Sequence, residues 1–90
     1  MRIDFDPKKD VANWANHGVS LAIAASLDWD AALVWVDDGF EYDELRMIAL
    51  APETNTRYYV AFVDRTEIRR IISVRRATRK EAAYYVENFQ

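Results

Sequence analysis

The residues best suited to chemistry lie in Glu67-Ile68-Arg69-Arg70-Ile71-Ile72-Ser73-Val74-Arg75-Arg76. Read as a strand, one face carries Ile68, Arg70, Ile72, Val74 and Arg76, and the other Glu67, Arg69, Ile71, Ser73 and Arg75. The first is the better core face, although Arg70 interrupts it. The second sets Arg69 and Arg75 on either side of a small Ser73, a surface on which a phosphate chain can lie. A guanidinium suits that task because its planar fork bonds two phosphate oxygens and stays charged at any working pH. Periodicity alone is equally compatible with solvated strand arginines paired to Glu67 or to acids elsewhere. His17 is the only histidine, and the only side chain whose unperturbed pKa lies near neutrality. It shares a polar helix face with Lys9, Asn13 and Asn16, so Lys9 and His17 together could move protons and offset phosphate charge. A histidine that simply closes a helix C-terminus is the other reading. Glu44 and Arg46 share a strand face, as a carboxylate with its guanidinium partner or as a plain surface pair. The acids from Asp28 to Glu44 lack calcium-loop spacing and have no histidine among them, so no metal site is expected. Trp14, Trp29, Trp35, Tyr58, Tyr59, Tyr84 and Tyr85 are read as core residues before base-stacking platforms. No phosphate-binding loop or dinucleotide fingerprint is present.

These residues need elements to hold them. Ile3 and Phe5 alternate with Asp4 and Asp6 as a short strand does. Asp6 then caps a helix with Pro7 at its first position, Val11, Trp14 and Ala15 form an apolar stripe, and Gly18 stops it. Ser20 caps a second helix from Leu21 to Leu27. Strands are expected at Ala32–Val36, Arg46–Ala51, Arg57–Val63 and Glu67–Arg75. Asp38-Gly39, Pro52 to Thr56 and Asp64 to Thr66 are the turns, with Phe40 to Leu45 a loop or the start of a strand. Short connections between strands force antiparallel pairing. Thr78 and Glu81 have capping-box spacing ahead of a last helix through Asn88. The expected fold is α+β: an antiparallel sheet with two N-terminal helices and a C-terminal one, in a single domain spanning 1–90.

Composition narrows the function. The chain has 90 residues, 51% of them hydrophobic and 30% charged, and no cysteine. That excludes a disulfide framework and thiolate chemistry. Apolar runs such as Ala31 to Val36 fall far short of the ~20 residues of a membrane span, and the acidic start is no secretory signal, so a cytoplasmic protein is expected. The net charge of −3 hides an asymmetry. Residues 1–45 hold 3 bases and 10 acids (3 − 10 = −7), and residues 46–90 hold 9 bases and 5 acids (9 − 5 = +4). A basic surface on an acidic body follows, unless these are simply solvated faces.

Several segments together resemble one family. They are Phe5-Asp6-Pro7-Lys8-Lys9, Asn13, His17-Gly18-Val19-Ser20, Glu44-x-Arg46, and the block from Arg69 to Glu81 (Arg-x-Ile-Ile-Ser-x-Arg-Arg-Ala-Thr-Arg-x-Glu), followed by Tyr84-Tyr85. This pattern is similar to the BrnT toxins of type II toxin–antitoxin modules, with departures at Leu21, where the family usually has phenylalanine, and at Ala49, where it commonly has glycine. The resemblance implies a RelE-like fold and a ribonuclease that needs no metal or cofactor. It implies attack by an RNA 2′-hydroxyl on the neighbouring phosphate. Arg69 and Arg75 would hold that phosphate with Arg46 as a further donor, and His17 or Lys9 would serve as acid or base, with Glu44 the third choice. Ser73, Arg76 and Arg79 would extend the RNA surface. The implied partner is a ribbon-helix-helix antitoxin (BrnA-like), through which alone the toxin would reach operator DNA. The alternative is a catalytically decayed toxin that persists as an antitoxin-binding co-repressor, its acidic first half docking a basic antitoxin segment.

Overall fold

The computed structural model describes residues 1–38 and 43–89. Its elements are β1 (Arg2–Phe5), α1 (Pro7–His17), two 3₁₀ segments (Leu21–Ser26 and Trp29–Ala31), β2 (Leu33–Val36), β3 (Met47–Glu53), β4 (Thr56–Arg65), β5 (Ile68–Arg76) and α2 (Arg79–Asn88). The expected α+β class holds. Gly39 of the Asp38-Gly39 turn and the first half of the Phe40–Leu45 stretch lie outside the described residues.

The five strands form one sheet in the order β1-β5-β4-β3-β2. β2 to β5 pair antiparallel, as their connections require, but β1 runs parallel to β5. The sheet is therefore mixed and not antiparallel throughout. The short-connection argument binds only neighbours in sequence, and nearly the whole chain separates β1 from β5. Strand bounds also move. β3 runs through Pro52 to Glu53, and the chain reverses at Thr54, which takes a φ of 54°. β4 extends to Arg65, and the next reversal falls at Glu67, with a φ of 61°.

Local chemistry accounts for the helices. Asp6 accepts the Lys8 N–H at 2.9 Å, Pro7 occupies the first turn, and Gly18 closes α1 in the left-handed region at φ 67°. Leu21 to Ser26 is a 3₁₀ segment and not the expected second α-helix. Its buried residues Leu21 and Ala24, followed by Leu27, recur every third position, the period at which 3₁₀ side chains eclipse. At α2 the capping box forms between Thr78 and Glu81.

The two sheet faces differ. Ala49, Ala51, Tyr58, Val60, Phe62, Ile71 and Val74 form one face, and Val19, Leu21, Ala24 and Leu27 pack over it to make the core. The opposite face presents Ile48, Leu50, Ala61 and Val63, with α2 held to it through Tyr84 on Trp35 and Glu81 on Arg75. The core face is built across a β-bulge. Phe62 pairs with Ile71, but Ala61 pairs with Ser73, so Ile72 has no partner. Beyond the bulge the inward and outward positions of β5 exchange.

Candidate active site

That exchange decides which arginines stand together. Arg69 precedes the bulge and lies on the core face. Its guanidinium sits 4.5 Å from the ring centroids of both Trp29 and Phe62, and bonds both oxygens of Asp64 at 2.7 and 2.9 Å. Arg75 follows the bulge and lies on the open face, paired with Tyr59 across the strands. The two arginines that strict alternation puts side by side are on opposite faces. Arg76 pairs with Tyr58 on the core side and is exposed there. Ser73 faces Ala61 on the open side, and Arg79, at the first position of α2, is exposed.

The open face carries a cleft of about 320 Å³ lined by Lys9, Arg46, Arg65 and Arg70, together with Asp43 and Glu44. Val63 and Ile72 form its apolar part. Lys9 comes from α1, Arg46 from the residue before β3, and Arg65 and Arg70 from the facing ends of β4 and β5. Arg65 forks onto Glu44 at 2.9 and 2.6 Å. That hydrogen-bonded pair holds the Glu44 carboxyl below its ordinary range and pushes the Arg65 guanidinium up. Arg70 bonds Asp4, its neighbour across β1, at 2.7 Å. Lys9 has no carboxylate partner among the described residues.

Further along the same face, Arg75 lies 4.0 Å above the Tyr59 ring and forks onto Glu81 at 2.8 and 2.9 Å. Glu81 also accepts the Thr78 N–H at 2.8 Å. The Arg75 hydrogen bonds, with Thr78 adding to them, hold Glu81 below the usual carboxylate range, while Glu81 raises Arg75.

Of the residues singled out from sequence, Lys9, Arg46 and Glu44 meet in one cleft, with Ser73 and Arg75 beyond it on the same face. His17 does not line the cleft. It is exposed at the end of α1, about 12 Å along the helix axis from Lys9 at 1.5 Å per residue. Asn13, expected on the polar face with them, is buried and hydrogen-bonded to β5. Arg65 and Arg70 were missed as site residues. The signal for Arg70 was its intrusion into an otherwise apolar strand face, a position where a cation needs a reason. Arg65 reads as turn from sequence, because the run of strand formers ends at Val63 whereas β4 continues two residues further. Among the described residues no group of three or more His, Asp or Glu side chains converges to hold a metal, and no helix is long and apolar enough to cross a membrane.

The family model for the ribonuclease toxin BrnT of type II toxin–antitoxin systems matches residues 5–81, most of the chain. No curated protein matches it.

Proposed function

The chain belongs to the BrnT family of type II toxin–antitoxin ribonuclease toxins, and on that premise we propose that it cuts RNA in the cationic cleft of the open sheet face, without a metal ion. The observation that carries this reading is the convergence of Lys9, Arg46, Arg65 and Arg70 from four separate segments onto one concavity. Carboxylates hold two of them there, Arg65 by Glu44 and Arg70 by Asp4, and a phosphate in the cleft would draw on all four.

The reaction is displacement at phosphorus by the adjacent 2′-oxygen. The 2′-hydroxyl gives its proton to solvent water, its oxygen bonds the phosphorus as the bond from phosphorus to the 5′-oxygen breaks, and that oxygen leaves with a proton, giving a 2′,3′-cyclic phosphate end. Charge accumulates on the non-bridging oxygens, and Arg46 and Arg70 are set to bind them. Each preorganised donor of this kind is typically worth on the order of 10²–10³ in rate. Lys9, having no carboxylate partner among the described residues, is the group we assign to protonating the leaving oxygen. Glu44 is a poor base, because Arg65 holds it ionised and lowers its proton affinity. Incoming phosphate must displace Glu44 from Arg65 and Asp4 from Arg70, an exchange of one anion for another. The partner is an antitoxin, which we take to be a ribbon-helix-helix protein that covers this face and alone contacts operator DNA. The site of action is the cytoplasm.

The second reading, a non-catalytic antitoxin-binding co-repressor, draws on one feature: Arg65, Arg69, Arg70 and Arg75 are all bridged by the chain's own carboxylates. One experiment separates the two readings. The purified protein is incubated in chelator with an RNA oligonucleotide and with copies carrying single 2′-deoxy substitutions. Cleavage blocked only by the substitution at the scissile position is expected, with Lys9→Ala and Arg46→Ala each slower by on the order of 10²-fold or more and His17→Ala near the parent rate. Loss of activity in His17→Ala alone would move the site to the end of α1. Intact RNA throughout, with tight antitoxin binding retained, would select the co-repressor.

A further inference from the structure

On the open face, beside the cationic cleft, a second hollow of about 520 Å³ is walled by Trp35 of β2, Leu50 of β3, Tyr59 of β4 and Tyr84 of α2, with Thr78, Lys80 and Glu81 at its rim. We infer that it receives an unpaired nucleobase of the RNA strand whose phosphate lies in the cleft, an inference that rests on the RNA-cleaving reading above.

Three observations carry it. The first is the wall chemistry. Trp35 meets Tyr59 and Tyr84 edge-on, each at a centroid distance of 6.3 Å, yet Tyr84 is 51% exposed. Aromatic groups that met only to fill a core would be shut from water. Here their surfaces border a hollow within the usual size range of small-ligand sites. Every base has a π-face to offer such walls.

The second is register. Tyr59 pairs with Arg75, Ala61 with Ser73, and Val63 with Arg70. The hollow and the cleft are therefore two ends of one strip on one face, with only the small Ala61 and Ser73 between them. Tyr59 to Val63 spans about 14 Å at 3.4 Å per residue, a step of a few nucleotides along an extended strand.

The third is charge. Cations stand at both ends of the strip, some of them already paired: Lys80 and the Glu81-bound Arg75 at the hollow, and at the cleft Lys9 and Arg46 with the Glu44-bound Arg65 and the Asp4-bound Arg70. Repeated cations beside aromatic walls match a chain that alternates phosphates with bases. A protein side chain would need the walls but not the row of charges.

The test uses a non-cleavable 2′-fluoro RNA hexamer, and copies each abasic at one position, with binding read by fluorescence anisotropy. The parent protein should lose about tenfold or more in affinity at one or two abasic positions, the scale of one lost base–aromatic stack. Tyr84→Ala should bind the intact hexamer as weakly as the parent binds that abasic copy, with no further loss when the two changes are combined. Trp35→Leu provides a second variant should Tyr84→Ala not fold. If every abasic hexamer binds the parent within about twofold of the intact one while RNA is still cleaved, the hollow takes no base and only this inference falls. If Tyr84→Ala leaves RNA binding unchanged but weakens the antitoxin complex, the hollow is a partner's anchor and the inference is overturned. Should the hexamer not bind and RNA stay intact, the RNA-cleaving reading fails and takes the inference with it.

Discussion

Asn13 stands where a neighbouring strand would otherwise bond β5. Its Nδ2 donates to the carbonyls of Val74 and Val19, at 2.8 Å each, and its Oδ1 accepts the Val74 N–H at 3.1 Å. One side-chain amide thus satisfies three buried backbone groups beyond the point where β1 ends, and ties α1 to the sheet. Asn13→Ala leaves all three without a partner. We expect a loss of about 2–4 kcal/mol, read as a lower urea midpoint with the same slope. Asn13→Asp should be worse, because a carboxylate cannot donate to either carbonyl. Trp14, next in sequence, is the opposite case. It was expected in an apolar stripe with Val11, but the two are 55% and 71% exposed. Trp14→Ser should therefore change stability by no more than about 0.5 kcal/mol, so a loss above 1 kcal/mol would contradict its exposure.

Among the elements, α2 depends most visibly on a single charged group. Glu81 closes the capping box and grips Arg75, so it fastens the helix start to β5. Its carboxyl is held below its ordinary value of 4.5 in the folded chain. The folded state then binds fewer protons than the unfolded one in that region, and stability rises with pH there. The contribution is complete above the unfolded value and disappears as pH falls through the lower, folded one. Glu81→Gln keeps the capping geometry but removes the charge. At neutral pH we expect it to cost about 1 kcal/mol, roughly 4–8 °C in Tm for a domain of this size. The gap between variant and parent should close as thermal unfolding is followed below about pH 4. A gap that persists into strong acid would mean that the Arg75 pair contributes nothing. At β5, Arg69 is packed against Trp29 and Phe62 on the core face, so loss of toxicity in Arg69→Ala is expected to accompany lost stability. Arg46→Ala should lose toxicity while still folded.

At the scale of the whole molecule, the proposed RNA-cleaving function asks a chain of net charge −3 to hold a polyanion. Its two halves carry −7 and +4 by the counts above, and the fold brings basic residues of the second half together with Lys9 from the first. Binding should be local and electrostatic. With three phosphates neutralised, log affinity for single-stranded RNA should fall against log salt with a slope of about −2. Arg46→Ala should reduce that slope by about 0.7. A flat dependence would mean that stacking carries the affinity without the cleft. The acids between Asp28 and Glu44 add a field of the wrong sign, so association should also be slower than for a uniformly basic surface. Expression of the chain without its antitoxin should arrest growth, and growth unchanged by abundant soluble protein would favour the co-repressor reading.

The sequence alone determined whatever is settled within one turn of chain. Asp6-Pro7 opens α1 and Gly18 ends it, Thr78 and Glu81 begin α2, and β3 to β5 fold back antiparallel because their connections are too short for anything else. Family membership was legible for a related reason, since the most specific block of the resemblance lies within the ten consecutive residues from Arg69 to Thr78. What sequence could not supply were the events that need a distant partner. β1 lies parallel to β5, Asn13 turns inward toward Val74, and Leu21 to Ser26 tightens to a three-residue period against the sheet. The bulge at Ile72 matters most for the candidate site, because it exchanges the faces of β5 and parts Arg69 from Arg75. An extra residue in one strand is invisible until the opposite strand fixes the pairing. Strict alternation therefore put the two arginines on one surface, whereas pairing with β4 set them on opposite sides of the sheet and left Lys9, Arg46, Arg65 and Arg70 to form the cleft.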